Sequence, residues 1–295
     1  MKFHGIIPPV ATPLTADEEL DLPKLRWFLD HLLASGVHAL FILGTNSEFY
    51  AFSDDEKERL MAESVAHVAG RVPVLVGTGA ESTRETVRLT RLAQRVGADA
   101  VSVITPYFIQ PSQPELFDHF RRVAEATSLP LMLYSNPAHT QVKLAPETWG
   151  RLLELGNVVA IKDSSGDLQT TIDYLRVAAG RAAVFQGRDT IILPSLLMGA
   201  AGAVAASANV APRLCVDLYE AFIRGDLAAA RAAQDRIHPV RQCLALATPP
   251  AGVKAALRLL GIDLGPAASP LAEPAPERLT HMRAALTAVG LLPPA

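Results

Sequence analysis

The chain has 295 residues, of which 49% are hydrophobic and 19% are charged, and its formal net charge is −3 at pH 7. This length suits one large α/β domain or two small ones, and either would have an ample core. Acidic and basic residues are interspersed, so we expect no nucleic acid or other polyanion as a partner. The two cysteines, Cys215 and Cys243, lack the spacing of a metal site and favour a reducing compartment.

Neither a targeting segment nor a membrane span is indicated. Residues 1–5 lack the apolar run of a signal peptide. The uncharged stretch 190–212 is interrupted by prolines and glycines, which predicts a helix, a turn and a buried strand. We therefore expect a cytoplasmic protein that makes no membrane contact.

Short apolar strands alternate with amphipathic helices along the first two thirds of the chain. The predicted strands are 5–10, 39–43, 72–76, 100–104, 131–134, 158–162, 183–186 and 202–206. The helices predicted between them are 22–34, 53–69, 82–96, 113–126, 146–153, 168–178 and 191–198. Further helices are predicted at 211–224, 227–243, 252–260 and 276–289, with no strand among them.

This alternation predicts a parallel sheet, and eight such units favour a (β/α)8 TIM barrel. A doubly wound sheet is the alternative, but no Gly-x-Gly-x-x-Gly follows the first strand, which argues against its dinucleotide-binding form. We expect residues 1–210 to form the catalytic barrel. Residues 211–295 are expected to form a C-terminal helical region that packs on it.

A lysine ends the sixth apolar strand, Val158-Val159-Ala160-Ile161-Lys162, just before a polar loop. A lysine is almost never fully buried unless it is paired or used. Burial disfavours the charged form of an amine, and the neutral amine is a nucleophile. Alone, the same pattern also fits a side chain that reaches water past the strand end.

The other strand ends carry further candidates, because a barrel places its active site at the carboxyl ends of its strands. The turn after the second strand, residues 44–49, has backbone and side-chain donors suited to a carboxylate, although it also resembles an ordinary turn. Tyr134 ends the fifth strand and can carry a proton, or it can be a structural tyrosine. Arg188 follows the seventh strand. Barrels often bind phosphate in the loops after the seventh and eighth strands, and here these loops offer one arginine beside an aspartate, which favours an unphosphorylated substrate.

The chain lacks the usual signals of other chemistries. Its eight histidines are scattered without metal spacing. Neither a Gly-x-Ser-x-Gly elbow nor a glycine-rich phosphate loop with a lysine is present. We therefore expect no metal and no other cofactor. A lysine that condenses with a ketone supplies an electron sink, so the candidates fit imine chemistry on an α-keto acid.

These motifs resemble the dihydrodipicolinate synthase / N-acetylneuraminate lyase family of pyruvate-dependent class I aldolases. The similar segments are Gly44-Thr45-Asn46-Ser47-Glu48, Tyr134-Ser135-Asn136-Pro137, Ile161-Lys162-Asp163-Ser164-Ser165-Gly166-Asp167 and Ser207-Ala208-Asn209-Val210-Ala211-Pro212. The resemblance implies that Lys162 forms a Schiff base and that Tyr134 shuttles protons. It further implies that Thr45 and Asn46 bind the pyruvate carboxylate and that Val204 lines the pyruvate pocket.

The chain departs from the synthase branch at two positions. His139 stands where the synthase has an arginine for the aspartate-semialdehyde carboxylate. Phe108 stands where a tyrosine reaches the site from a neighbouring subunit, and a phenylalanine cannot relay a proton. Residues 163–167 look more like the lyase and keto-deoxy-sugar-acid branches, and Ser47 replaces a glycine of the family.

The favoured hypothesis is therefore a lyase that cleaves a 2-keto-3-deoxy sugar acid or a 4-hydroxy-2-oxo acid to pyruvate and an aldehyde. The candidates for the distal part of the substrate are His139, Ser164, Gln186 and Arg188. The alternatives are a dihydrodipicolinate synthase, a keto-deoxy-acid dehydratase and a catalytically silent barrel that binds keto acids. The resemblance also implies a homo-oligomer, a tetramer or a dimer, with Tyr107 near an interface.

Overall fold

The computed structural model describes residues 3–293, and its centre is a sheet of eight parallel strands. The strands are β1 (Gly5–Ile7), β2 (Leu40–Ile42), β3 (Val74–Gly77), β4 (Ala100–Ile104), β5 (Leu131–Ser135), β6 (Val158–Asp163), β7 (Ala183–Gln186) and β8 (Gly202–Val204). Their order is β1-β8-β7-β6-β5-β4-β3-β2. Beyond the end of β1, Val10 N–H donates to the Phe41 carbonyl at 2.9 Å and Phe41 N–H donates to the Pro8 carbonyl at 3.0 Å. These bonds join β1 to β2, so the TIM-barrel prediction is confirmed.

Helices lie between the strands and cover the outside of the barrel, except for the short helix at residues 137–140, which lies at the carboxyl end of the fifth strand. They are α1 (Leu22–Ala34), α2 (Asp54–Val68), α3 (Thr83–Arg95), α4 (Gln113–Glu125), α5 (Pro137–Thr140), α6 (Pro146–Leu152), α7 (Leu168–Ala178) and α8 (Ile192–Leu197). Local sequence sets several of their starts. Ser53 and Ser112 form capping boxes with Glu56 and Glu115, which satisfy the free N–H groups of the first turn.

Four helices follow β8. They are α9 (Pro212–Ile223), α10 (Leu227–Leu244), α11 (Ala251–Leu259) and α12 (Pro276–Ala288). Their apolar residues, among them Val216, Ile237, Leu257 and Met282, belong to the same core cluster as residues of the barrel strands. The C-terminal helices therefore share the core that lies between the sheet and its helices.

A second core fills the inside of the barrel. It contains Phe3, Ile7, Ala39, Phe41, Leu75, Ala100, Met132, Ala160, Phe185 and Val204. Side chains of a strand alternate between the two faces of the sheet, so the residue two positions after an inward residue also points inward. Tyr134 follows Met132 by two and Lys162 follows Ala160 by two, which directs both into the barrel above this core.

The element bounds differ from the predicted ones mainly near prolines and turns. Strand β1 ends at Ile7, because Pro8 and Pro9 have no N–H to donate to a ladder. The predicted loops also contain short helical turns, Thr45–Ser47, Phe49–Ala51 and α5. Within the described residues, every helix is too short or too polar to span a membrane.

Candidate active site

Tyr134 and Lys162 are directly opposite each other on the neighbouring strands β5 and β6. The Lys162 Nζ lies 3.8 Å from the centroid of the Tyr134 ring and 5.4 Å from that of Phe41. Both side chains are buried, with 5% of each residue exposed. A buried amine is thereby held over the ring of a phenol, whose hydroxyl is a group able to carry protons.

The Tyr134 hydroxyl is surrounded by polar groups. It accepts a hydrogen bond of 2.8 Å from Asn136 Nδ2. Burial is the largest single influence and opposes ionisation of the phenol, but the positive charge of Lys162 and the hydrogen bonds around the oxygen together outweigh it. Hydrogen bonds with Thr45 and Ser164 also favour the ionised form, and the pKa of Tyr134 is lowered from its ordinary value of 10.0.

The turn after β2 forms a single 3₁₀ turn, Thr45–Ser47, that begins after Gly44. Thr45 and Asn46 face the cavity above Lys162. The Ser47 hydroxyl instead donates to the Val10 carbonyl, and Thr12 Oγ1 donates to the Ser47 carbonyl at 3.0 Å. Ser47 is therefore a structural tie between this turn and the segment after β1, which accounts for a serine at this position.

A cavity of about 80 Å³ opens above these groups. Among the residues with a predicted role, those that line it are Thr45, Asn46, Tyr134, His139, Lys162, Ser164, Arg188 and Val204. Three of them lie on β5, β6 and β8, and the other five lie in the segments that follow β2, β5, β6 and β7. The structure therefore brings them together at the carboxyl ends of the strands.

Gln186 does not line this cavity. Its amide donates to Thr171 Oγ1 at 3.2 Å and to Ser195 Oγ at 2.8 Å, on the helices outside the barrel. It follows the outward-facing Val184 by two positions in β7, so strand alternation directs it outward. The sequence alternation along β7 also predicts this orientation, because Phe185 points into the barrel and its neighbour Gln186 must then point outward.

Several lining residues had no predicted role. They are Pro9, Asn136, Gly187, Ala206, Arg241, Leu244, Pro249 and Val253. The four from Arg241 onward belong to the C-terminal region. The apolar pattern that predicts a helix there does not indicate which end of the barrel the helix covers. Gly187 could have been suspected from its place after β7. A Cβ there would lie 2.0 Å from Ser164 Oγ and 3.1 Å from Lys162 Cε, so only glycine fits.

Arg188 and Arg241 give one side of the cavity a positive charge, and His139 lines the cavity with them. Partial burial is the main cause that lowers the pKa of His139 below its ordinary value of 6.5, so the ring is neutral at pH 7. The positive charges that add to this effect belong to Arg188, Lys162 and Arg241. No aspartate or glutamate of the described chain lines the cavity.

The segment after β4 places its two aromatics differently. Tyr107 is half-buried and packs edge-to-face on Phe49, with ring centroids 5.9 Å apart. Burial, followed by the negative charge of Glu81, raises the pKa of Tyr107. Phe108 is 96% exposed and has a φ of 74°, in the left-handed region. A large apolar side chain in such a position points away from its own barrel.

The chain matches the Dihydrodipicolinate synthetase family over residues 2–289. It belongs to this family. The resemblance inferred from the motifs is confirmed, and so is the prediction of a pyruvate-dependent class I aldolase or lyase.

Similar proteins cover nearly the whole chain. A 4-hydroxy-tetrahydrodipicolinate synthase of Thermomicrobium roseum is 40% identical over 96% of this chain and 94% of its own. An uncharacterized DapA-like lyase of Halobacterium salinarum is 40% identical over 99% of this chain and 96% of its own. The structure of YagE from E. coli K12 in complex with pyruvate is 34% identical, covers 98% of this chain and 99% of its own, and has a TM-score of 0.95.

Proposed function

We propose that this protein joins pyruvate to an aldehyde, or reverses that reaction, through an imine on Lys162. The observation that carries the proposal is the buried Lys162 Nζ, 3.8 Å from the ring of Tyr134, in a cavity bordered by the turn with Thr45 and Asn46. The turn supplies donors for the carboxylate of pyruvate. The lysine supplies the nucleophile, and the phenol moves protons.

The steps follow from these groups. The amine of Lys162 adds to the keto carbon, water leaves, and the protonated imine accepts the electron pair when the methyl group loses a proton. The resulting enamine carbon adds to the aldehyde carbon, and the aldehyde oxygen takes a proton by way of Tyr134. Water then hydrolyses the imine and frees the lysine. Cleavage runs through the same steps in reverse.

The first candidate for the aldehyde is aspartate semialdehyde, which would make the protein a 4-hydroxy-tetrahydrodipicolinate synthase. The names of its relatives favour this choice over the lyase that the sequence motifs suggested first, because the synthase name belongs to proteins up to 40% identical over nearly the full chain. The four groups proposed for the pyruvate half of that reaction, Thr45, Asn46, Tyr134 and Lys162, border the cavity.

A lyase for a 2-keto-3-deoxy sugar acid or a 4-hydroxy-2-oxo acid is the second candidate. It is favoured by His139, which replaces the arginine expected in the synthase. It is also favoured by the exposed Phe108, which has no proton to relay. A keto-deoxy-acid dehydratase would use the same imine but would release no pyruvate.

Trapping with borohydride tests the shared chemistry. Pyruvate and borohydride should add one reduced pyruvate to the intact protein, and peptide mapping should place it on Lys162. Lys162→Met should form no adduct and should lose at least about a thousandfold in kcat. Lys143→Met is the matched control, because Lys143 lies outside the cavity and donates to Thr170 Oγ1. An adduct on another lysine, or full activity in Lys162→Met, would overturn the proposal.

A substrate panel separates the candidates. The synthase should consume pyruvate only with aspartate semialdehyde. A lyase should release pyruvate from a keto-deoxy or hydroxy-oxo acid, and a dehydratase should convert the same acid without releasing pyruvate.

A further inference from the structure

The cavity has a cationic side whose charges come from separate elements. Arg188 lies between β7 and α8, and Arg241 lies in the last turn of α10; the neutral ring of His139, in α5, lines the cavity with them. The charges of both arginines act on the His139 ring. The groups expected to hold the pyruvate carboxylate, Thr45 and Asn46, are on a different loop.

Both arginines lack an acidic partner in the part of the chain that the structure describes. Within residues 3–293, neither Arg188 nor Arg241 forms an ion pair, although eight other arginines of the chain do. The side chains of Arg188 and Arg241 also make no hydrogen bond to the described part of the protein, and both are only partly exposed. Two cations that line one cavity without an anion repel each other, and a bound anion would relieve that repulsion.

The position of Arg241 is fixed by the fold. Gln234 lies seven residues earlier in α10, two helical turns away and therefore on the same face. Its amide donates to the Asp189 carbonyl at 2.9 Å and accepts from Leu193 N–H at 2.8 Å. These bonds hold this face of α10 against the segment that begins with Arg188.

Apolar residues complete this wall of the cavity. Leu244, Pro249 and Val253 line it beside Arg241. Because apolar walls exclude water, they strengthen a charge interaction made there. The C-terminal helices therefore do more than cover the barrel, since they contribute a charged group and its surroundings to the cavity.

We propose that Arg188 and Arg241 together bind a second anionic group of the substrate, a carboxylate or a phosphate ester. The protein would then select molecules that carry an anion at both ends. This inference rests on the proposed function, which accounts for the binding of the keto-acid end of the substrate. It specifies the chemistry of the opposite end of the substrate. It assigns that end to residues other than His139, which is neutral at pH 7.

A binding experiment tests the proposal without turnover. Dissociation constants would be measured by calorimetry for 2-oxoglutarate, 2-oxoadipate and 2-oxopimelate. The matched monoacids are 2-oxopentanoate, 2-oxohexanoate and 2-oxoheptanoate. The wild type should prefer at least one diacid by about tenfold to a hundredfold, as expected for charge-assisted hydrogen bonds. Arg241→Gln and Arg188→Gln should each lose most of that preference while binding the monoacids as before.

Arg231→Gln is the matched control, since Arg231 is an exposed arginine of the same helix and does not line the cavity. It should keep the diacid preference. A phosphate arm compares the binding of glycerol 3-phosphate with that of glycerol on the pyruvate-loaded protein, because neither of them has a carbonyl that the enamine could attack. Preference in that arm alone assigns the site to a phosphate, and preference for the diacids alone assigns it to a carboxylate.

The proposal is overturned if the wild type has no preference in either arm, or if both arginine variants keep it. It is also overturned if the variants weaken monoacids and diacids equally, because that result indicates a structural role. Borohydride trapping with pyruvate is run on every variant. A wild type that forms no adduct but prefers diacids would refute the proposed function and leave the anion site standing.

Discussion

At the residue scale, the most informative environment is that of Tyr134. Its phenol is buried, yet its pKa is lowered because the positive Lys162 lies against its ring and polar groups surround its oxygen. A phenol whose pKa lies closer to neutral pH is better suited to release a proton and take it up again during turnover. Asn136, which donates to the hydroxyl at 2.8 Å, fixes its orientation.

Tyr134→Phe should therefore lower kcat by about a hundredfold to ten-thousandfold, because the variant loses the proton carrier but keeps the shape of the cavity. Borohydride should still trap pyruvate on Lys162 in this variant. The measurement is steady-state pyruvate turnover beside the mass of the trapped protein. Unchanged turnover would remove Tyr134 from the mechanism.

At the scale of elements, the turn after β2 is held by the C-terminal region. Glu48, directly after this turn, has a φ of 59° and forms an ion pair of 2.6 Å with Lys254 of α11. Both side chains are at most 1% exposed. Glu48 also accepts from Ala268 N–H at 2.6 Å, and Lys254 donates to the Pro266 carbonyl at 2.6 Å. The turn with Thr45 and Asn46 is therefore attached to residues more than 200 positions away.

Removing one member of this pair leaves a buried charge without a partner. Lys254→Met should lower the free energy of unfolding by about 3–5 kcal/mol, and it should raise KM for pyruvate, because the turn with Thr45 and Asn46 loses its support. The double variant Glu48→Gln, Lys254→Met should recover part of the lost stability. Urea denaturation and pyruvate kinetics measure the two effects, and equal stability of the single variant and wild type would contradict the argument.

At the scale of the whole molecule, stability depends on the neutral state of a histidine between two outer helices. His119 of α4 is 4% exposed, and its Nδ1 lies 2.9 Å from Thr83 Oγ1 of α3. Burial, with a further contribution from Arg122, lowers the pKa of His119 from 6.5 to about 4. Between these values the unfolded chain binds the proton more tightly than the native protein does. Stability therefore falls as the pH drops below 6.5.

Between pH 7 and pH 5 this one group should cost the native protein about 2 kcal/mol. His119→Gln keeps a hydrogen-bonding side chain but cannot take up a proton. The urea midpoint of the wild type should consequently fall more steeply on acidification than that of the variant. Parallel decreases in the two proteins would show that His119 does not contribute to acid sensitivity.

The sequence by itself determined the barrel and the reactive pair. Strand and helix alternation depends on local periodicity, which is present in the residues themselves, and all eight predicted strands and all eleven predicted helices overlap an observed one. Lys162 and Tyr134 were identifiable because a lysine and a tyrosine at the ends of buried strands are exceptional in their own neighbourhood.

Only the tertiary structure decided which distant residues complete the cavity. Arg241 is unremarkable within its helix, and Gln186 has a plausible position in sequence but points to the outer helices. Glu48 and Lys254 meet only because α11 packs over the turn after β2. A local pattern specifies the face of an element, whereas the partner of that face depends on packing between elements far apart in the chain.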